Sequence, residues 1–383
     1  MRFSEIYREI SPIALVLFIN EVATATYFFS SRAFIRVLMG EDVYRYVILL
    51  ISFESIANLF ALLGGVLGDL YGRRIIALLS GLRTLTYFSI PLAITYDLKL
   101  TFALFFVSKV FDGLFFSNAL GTLLSRSKGS GRLYATSSTI FPIAWSIGSL
   151  VPGLLEPRGG YTLIFTFIGV ATLFASLFLA VVGKESKRAK HEDLAKAFSM
   201  LPRTFLMGVI IAEAGLVLYW NLLSIKLYET TGSLLLFGLI GGTLTTMASV
   251  LVYPLAGIIV DKIHPSRFLG VVYIAYLTYG LMMYFFSGLL FAILWVLPLY
   301  PFKVVALTVT LSRTLPKTFQ NTAAGITSLI YGLSGLIYSL FYFVDLDLFE
   351  VLSLYVFALT IGALAIIKAN FRMLSPKAEE TSY

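Results

Sequence analysis

The sequence predicts an all-α integral membrane protein with twelve transmembrane helices in two pseudo-symmetric six-helix bundles. Three observations carry that prediction. Only 13% of the 383 residues are charged and 58% are hydrophobic, whereas soluble domains carry about 25% charge. Apolar runs of roughly 18 to 25 residues recur from end to end, each long enough to cross a hydrocarbon core of about 30 Å. The runs are continuously apolar and do not alternate at period two, which favours helices over a barrel.

The spans fall near 11–35, 43–67, 74–95, 101–124, 133–155 and 160–182, then near 203–227, 234–259, 267–287, 289–311, 320–343 and 349–367. Residues 1–9 are charged and lack the pattern of a cleavable signal. Between the sixth and seventh spans lies one composition shift, rich in lysine and acids, with Leu194, Ala195, Ala197 and Phe198 at helical spacing. It divides the chain into an N-terminal bundle (1–183), a linker (184–202) and a C-terminal bundle with a short tail (203–383).

Basic residues set the orientation. Arg73, Arg74, Arg126, Lys128, Arg132, Lys262, Arg267, Arg313 and Lys317 lie in alternate loops, joined by Lys184, Lys187, Arg188, Lys190 and Lys196 in the linker and by Lys368, Arg372 and Lys377 at the end. The opposite loops hold Arg36, Arg45, Lys99 and Arg158 among several acids. Both termini are therefore expected in the cytoplasm, in a cell (plasma) membrane. The net charge of +8 then reflects topology, and no nucleic-acid partner is implied.

The chain has no cysteine, and His191 and His264 both fall in polar connections. Thiolate chemistry is excluded, and a histidine metal site is not expected. No catalytic motif is present, so the sequence points away from an enzyme, and no cofactor or metal is expected.

The halves read as repeats. Glu21 and Glu213, Tyr27 and Tyr219, and Asp69 and Asp261 are each 192 positions apart. The glutamates sit in the first span of each half and the aspartates end the second. Parallel six-helix repeats place a binding site at their interface, near the bilayer midplane.

The second span closes on Gly64-Gly65-Val66-Leu67-Gly68-Asp69-Leu70-Tyr71-Gly72-Arg73-Arg74. Its glycines allow a close helix neighbour and a sharp turn, and its aspartate suits a helix N-terminus or basic residues at the membrane rim. Gly65, Asp69, Gly72, Arg73 and Arg74 resemble the loop signature of the major facilitator superfamily. A second copy follows the eighth span, Gly257-Ile258-Ile259-Val260-Asp261-Lys262 with Arg267 nearby, and has His264 where the second glycine would fall. On the fourth span, Lys109-Val110-Phe111-Asp112-Gly113 resembles a further signature of that family, with lysine for its arginine and aspartate for its glutamine. In the family that basic residue is linked to proton coupling; here Lys109 and Asp112 are also spaced to pair with each other. The signature of exchangers is barely present at Gly148-Ser149-Leu150-Val151-Pro152-Gly153.

Charges inside spans are costly and face a cavity or a partner. At about 1.5 Å rise per residue, Glu21, Arg83, Glu213 and Lys303 lie roughly 15 Å deep, and Glu54, Lys109 and Asp112 roughly 20 to 25 Å. The resemblance implies that spans one, four, seven and ten line the cavity. Glu21, Asp112 and Glu213 are then proton-coupling candidates, and Asn20, Lys109, Asn221 and Lys303 candidates for substrate binding. Arg83, on a span peripheral in the family, is expected to form a structural pair with Glu54. Gly325, Ser328, Gly332, Gly335 and Ser339 form a stripe expected to pack closely. Gly65, Asp69, Gly72, Arg73, Arg74, Asp261 and Arg267 are expected to gate the cytoplasmic side.

The resemblance implies a monomeric secondary transporter that moves a small-molecule substrate through the lipid bilayer by alternating access, coupled to protons. Uniport or efflux antiport of amphipathic compounds are alternatives, and a transporter-like receptor or structural membrane protein is an alternative of another class. The aromatic residues, including Trp145, Trp220 and Trp295, fit sugar stacking, drug binding and interfacial belts alike.

Overall fold

The computed structural model describes residues 3–39, 43–183, 189–190, 193, 197–231, 236, 238–340 and 348–373. The first half comprises α1 (Phe3–Met39), α2 (Val43–Tyr71), α3 (Arg73–Ser80), α4 (Arg83–Ala93), α5 (Leu98–Ser127), α6 (Gly131–Ser138), α7 (Ile140–Gly148) and α8 (Val151–Val182). The second comprises α9 (Arg203–Thr231), a π-helical turn (Gly238–Leu244) that runs into α10 (Thr245–Lys262), α11 (Pro265–Phe285), α12 (Gly288–Trp295), α13 (Tyr300–Thr314), α14 (Gln320–Leu340) and α15 (Leu348–Met373).

Ten helical stretches among the described residues are long and apolar enough to cross a membrane. Two further expected spans lie outside those ten. That near 133–155 is broken into α6, α7 and the start of α8, with Pro142 and Pro152 along it, and proline removes a helical hydrogen bond. That near 320–343 forms one helix, α14, whose Gln320-Asn321-Thr322 start faces the other half. The expected span near 74–95 is interrupted between α3 and α4, and that near 289–311 between α12 and α13, where Pro298 and Pro301 stand. The expected turn between the fifth and sixth spans lies inside α8 at Gly159 and Gly160, where the backbone leaves helical angles (φ 59° at Gly160).

Large side chains on the outer faces are apolar, such as Leu92, Val181, Leu251, Phe285 and Phe357. That is the reverse of a soluble surface and suits hydrocarbon contact.

The packing repeats between the halves. In the first, α1 packs on α8 and α4 packs on α8; in the second, α9 and α11 both pack on α15. Across the halves, α2 lies along α14 and α10 lies along α6 and α7, so the second span of each half crosses the fifth span of the other.

Glycine makes both crossings possible. A Cβ on Gly65 would overlap the backbone of Asn321 in α14, and a Cβ on Gly257 would meet the Gly131 carbonyl at 2.6 Å. These two glycines are again 192 apart. Along the same α2–α14 seam, a Cβ on Gly325 would lie 2.6 Å from the Ala61 carbonyl and one on Gly332 2.7 Å from the Ser55 carbonyl. The expected small-residue stripe therefore packs closely at its glycines, while Ser328 turns to a central cavity. The side chain of Ser339 lies outside the described residues.

Replacing Gly65 by alanine should lower the melting temperature of the purified protein, because overpacking costs about 1–3 kcal/mol. Gly153→Ala should leave it equal or raise it, since a Cβ there meets nothing within 4 Å and alanine is the better helix former by up to about 1 kcal/mol. Equal effects of the two changes would remove the close-approach explanation.

Candidate functional site

Between the halves lies a cavity of about 410 Å³. The first half contributes Glu21 from α1, Phe116 and Leu120 from α5, Tyr134 from α6, and Phe141, Pro142 and Trp145 from α7. The second half contributes Thr246, Ser249 and Tyr253 from α10, Tyr300, Val304 and Thr308 from α13, and Thr327, Ser328 and Tyr331 from α14. Among the described lining residues Glu21 is the single carboxylate, and no lysine or arginine is present.

Glu21 is 7% exposed. The Trp145 indole Nε1 donates to its Oε2 at 2.8 Å, and the Asn20 amide donates to its Oε1 at 3.3 Å. No cation bonds to it among the described residues.

The cations of the first half are engaged elsewhere. Asp112 accepts from Arg83 Nη1 at 2.6 Å, from Lys109 Nζ at 2.8 Å and from the Tyr87 hydroxyl at 2.7 Å. Arg83 is fully buried; its Nη2 also donates to the Ser176 hydroxyl at 3.3 Å, and its guanidinium lies 4.1 Å from the centre of the Phe115 ring. Lys109 Nζ lies 3.6 Å from the centre of the Tyr27 ring. The partner of Arg83 is thus Asp112 and not the expected Glu54, because α4 packs on α5 and α8. The expected Lys109–Asp112 pair, three residues apart on one helix, is present.

In the second half Glu213, 1% exposed, accepts from Lys303 Nζ at 2.7 Å and from the Tyr273 hydroxyl at 2.7 Å. Lys303 Nζ sits 5.2 Å, 5.5 Å and 5.8 Å from the rings of Tyr331, Tyr300 and Tyr276. The two repeats therefore treat matching glutamates differently. Glu213 on α9 takes the lysine of α13. Glu21 on α1 does not take the lysine of α5, because Asp112 holds it.

The Asp69 and Asp261 ends of the halves form a second site. Asp69 accepts from the backbone amides of Thr322 at 2.8 Å and Asn321 at 3.3 Å, and from the Thr322 hydroxyl at 2.7 Å. It thereby caps the first turn of α14. Asp261 accepts from the amides of Gly131 at 2.7 Å and Arg132 at 2.8 Å, capping α6, and from Arg313 Nη2 at 2.6 Å. Each carboxylate meets the free N–H groups and positive dipole end of a helix in the opposite half.

The remaining motif residues fall around these caps. Gly72 ends α2 with φ 107°, which glycine adopts without a Cβ clash. The second copy turns through Ile263 and His264 with negative φ, so its lost glycine is not needed. Arg73 is buried and donates to the Ser125 hydroxyl at 3.2 Å, while Arg74 is exposed. The cation on Asp261 is Arg313; Arg267, expected among the gating residues, is exposed beside His264. Burial, Arg267 and Arg313 together hold the His264 imidazole below its usual range.

A family model described as the Major Facilitator Superfamily matches residues 13–339. The chain belongs to this superfamily. Similar solved structures include a human organic anion transporter, MFSD10 (TETRAN), at 14% identity and TM-score 0.66, covering 95% of this chain and 99% of that one. The E. coli fucose:proton symporter FucP matches at 15% identity and TM-score 0.68, covering 96% and 98%. A bacterial homologue of the iron transporter ferroportin, in an outward-facing state, matches at 16% identity and TM-score 0.68, covering 95% and 100%. These likenesses are of fold. No curated protein matches the chain in sequence.

Of the residues expected from sequence, Glu21 lines the cavity and Asn20 stands beside it; Lys109, Asp112, Glu213 and Lys303 lie in the two flanking charge clusters. The side chain of Asn221 lies outside the described residues. Sequence reasoning missed the cavity roles of Tyr134, Tyr253, Tyr300 and Tyr331, and the Trp145 bond to Glu21. The available signal was a phenol or indole inside an apolar run, where its polar atom needs a partner.

Breaking a buried pair costs about 3–5 kcal/mol. Asp112→Asn, which strands Arg83 and Lys109, should therefore destabilise the purified protein by that order. Lys109→Met, which leaves the Arg83–Asp112 bond intact, should cost less than half as much. A denaturant series on both variants checks this; equal losses would show that Asp112 does not serve both cations.

Proposed function

We propose that the chain is a proton-coupled secondary transporter of the plasma membrane, that it carries a small solute by alternating access, and that Glu21 is the proton-binding group. The observation that carries this reading is the position of Glu21, a buried carboxyl on the cavity wall with hydrogen bonds but no ion-pair partner among the described residues. A carboxyl fixed by a salt bridge stays ionised, whereas one held by an indole and an amide can exist in either form. Asp112 and Glu213, the other two candidates, are both ion-paired. FucP, whose fold this chain shares, is a fucose:proton symporter.

The two helix-capping aspartates act as latches. With the basic loops on the cytoplasmic side, Asp69 and Asp261 close that side by binding the first turns of α14 and α6. Rocking of the halves would break both caps together, because each glycine crossing sits one turn from its aspartate. The halves 1–183 and 203–383 are the rocking units, with 184–202 as the tether.

Flux of labelled sugars, carboxylates, amino acids and amines into liposomes that contain the purified protein tests the reading. At least one solute class should move faster under an imposed pH gradient. Glu21→Gln, which keeps an acceptor for Trp145 but cannot titrate, should lose the acceleration and retain exchange down a concentration gradient. No flux of any class would remove the transporter reading, flux indifferent to the pH gradient would leave uniport, and acceleration that survives in Glu21→Gln would place the proton elsewhere.

A further inference from the structure

We propose that the solute is a monovalent organic cation with an aromatic or aliphatic body, which pairs with Glu21 in place of the proton. The proposal rests on the reading of Glu21 as the proton-binding group and adds the chemical class of the solute. Binding releases one proton from the Glu21 carboxyl to water as one positive charge arrives, so the charge of the site is unchanged and the cycle is an exchange.

Charge complementarity is the first support. The described cavity wall holds one acid and no base. Among the described residues, the cations close behind it are bonded to other acids: Arg83 and Lys109 share Asp112, leaving that cluster one positive charge in excess, and Lys303 pairs with Glu213. An anionic solute would meet a carboxylate with no positive group to pair with, whereas a cation would supply the partner that Glu21 lacks.

Two hydroxyls of the neutral wall present acceptors. Ser249 and Thr327 donate their hydroxyl hydrogens back to the carbonyls of Thr245 at 2.9 Å and Ala323 at 3.2 Å. Their remaining lone pairs accept. Phe116, Phe141, Trp145 and Tyr253 supply aromatic rings, whose negative faces attract cations, more strongly in a desolvated site; the rings of Tyr300 and Tyr331 already lie near Lys303. The volume of about 410 Å³ lies within the range of about 300–1,000 Å³ that takes drug-sized ligands.

Tetraphenylphosphonium and tetraphenylborate, nearly alike in shape and opposite in charge, test the sign directly. Equilibrium binding of each to the purified full-length protein in detergent should show saturable binding of the phosphonium and none of the borate. Phosphonium affinity should fall at least tenfold from alkaline to acidic buffer, and its addition to a weakly buffered sample should release protons. Glu21→Gln should bind the phosphonium at least tenfold more weakly with no dependence on pH. Borate binding as tight as phosphonium binding, no phosphonium binding by the wild type, or phosphonium affinity unchanged in Glu21→Gln would each overturn the proposal. A ligand-free titration of tryptophan fluorescence, read through the Trp145 bond, separates the two claims. If that titration is lost in Glu21→Gln while the phosphonium fails to bind the wild type, the proton site stands and the cation class falls; if the wild type shows no titration, the proton site itself falls.

Discussion

An ionised side chain in hydrocarbon costs about 2.5–3.5 kcal/mol even on insertion scales, and the interior of this protein is arranged around that cost. The first half carries a buried arginine, a lysine and an aspartate within one cluster, where Asp112 bonds both cations and the Tyr87 hydroxyl. The second half carries one glutamate and one lysine, bonded to each other. Glu21 is left over, on the wall of the cavity. Its isolation follows from Asp112, an acid on α5 that occupies the lysine a repeat-symmetric pairing would have given to α1.

The same electrostatic reasoning governs the joint between the halves, at a different kind of partner. A helix begins with N–H groups that have no acceptor within the helix, and α14 and α6 begin where the opposite half presents a carboxylate. The approach is close only because Gly65 and Gly257 carry no Cβ. Cap and crossing are therefore one device used twice. Its two copies differ at the turn, where Gly72 takes a positive φ and His264 does not, and at the cation, since Arg313 of the same half reaches Asp261.

Fold class, the 192-residue offset and the place of Asp69 and Asp261 at the ends of α2 and α10 were legible in the sequence because they depend on run length, rank order and local spacing. Lys109 and Asp112 were legible as a pair for the same reason, being one turn apart. Arg83 was not, since its partner lies 29 positions away on another helix and helical period fixes a face without naming the neighbour. The breaks between α3 and α4 and between α12 and α13 were hidden in continuous apolar runs, which report burial in lipid but not helix continuity. The cavity rings belong to that class too: Tyr253, Tyr300 and Tyr331 have the composition of an interfacial belt, and only packing turns them inward.

The central claim is that, of the three candidate carboxyls Glu21, Asp112 and Glu213, only Glu21 exchanges a proton, since the other two are ion-paired with lysine or arginine. Infrared difference spectra of the purified protein between alkaline and acidic buffer test it most directly through the carbonyl stretch of a protonated carboxyl. The expected result is a band in the wild type that vanishes in Glu21→Gln and persists in Glu213→Gln and Asp112→Asn. A band that survives in Glu21→Gln and disappears with either of the other two substitutions would contradict it.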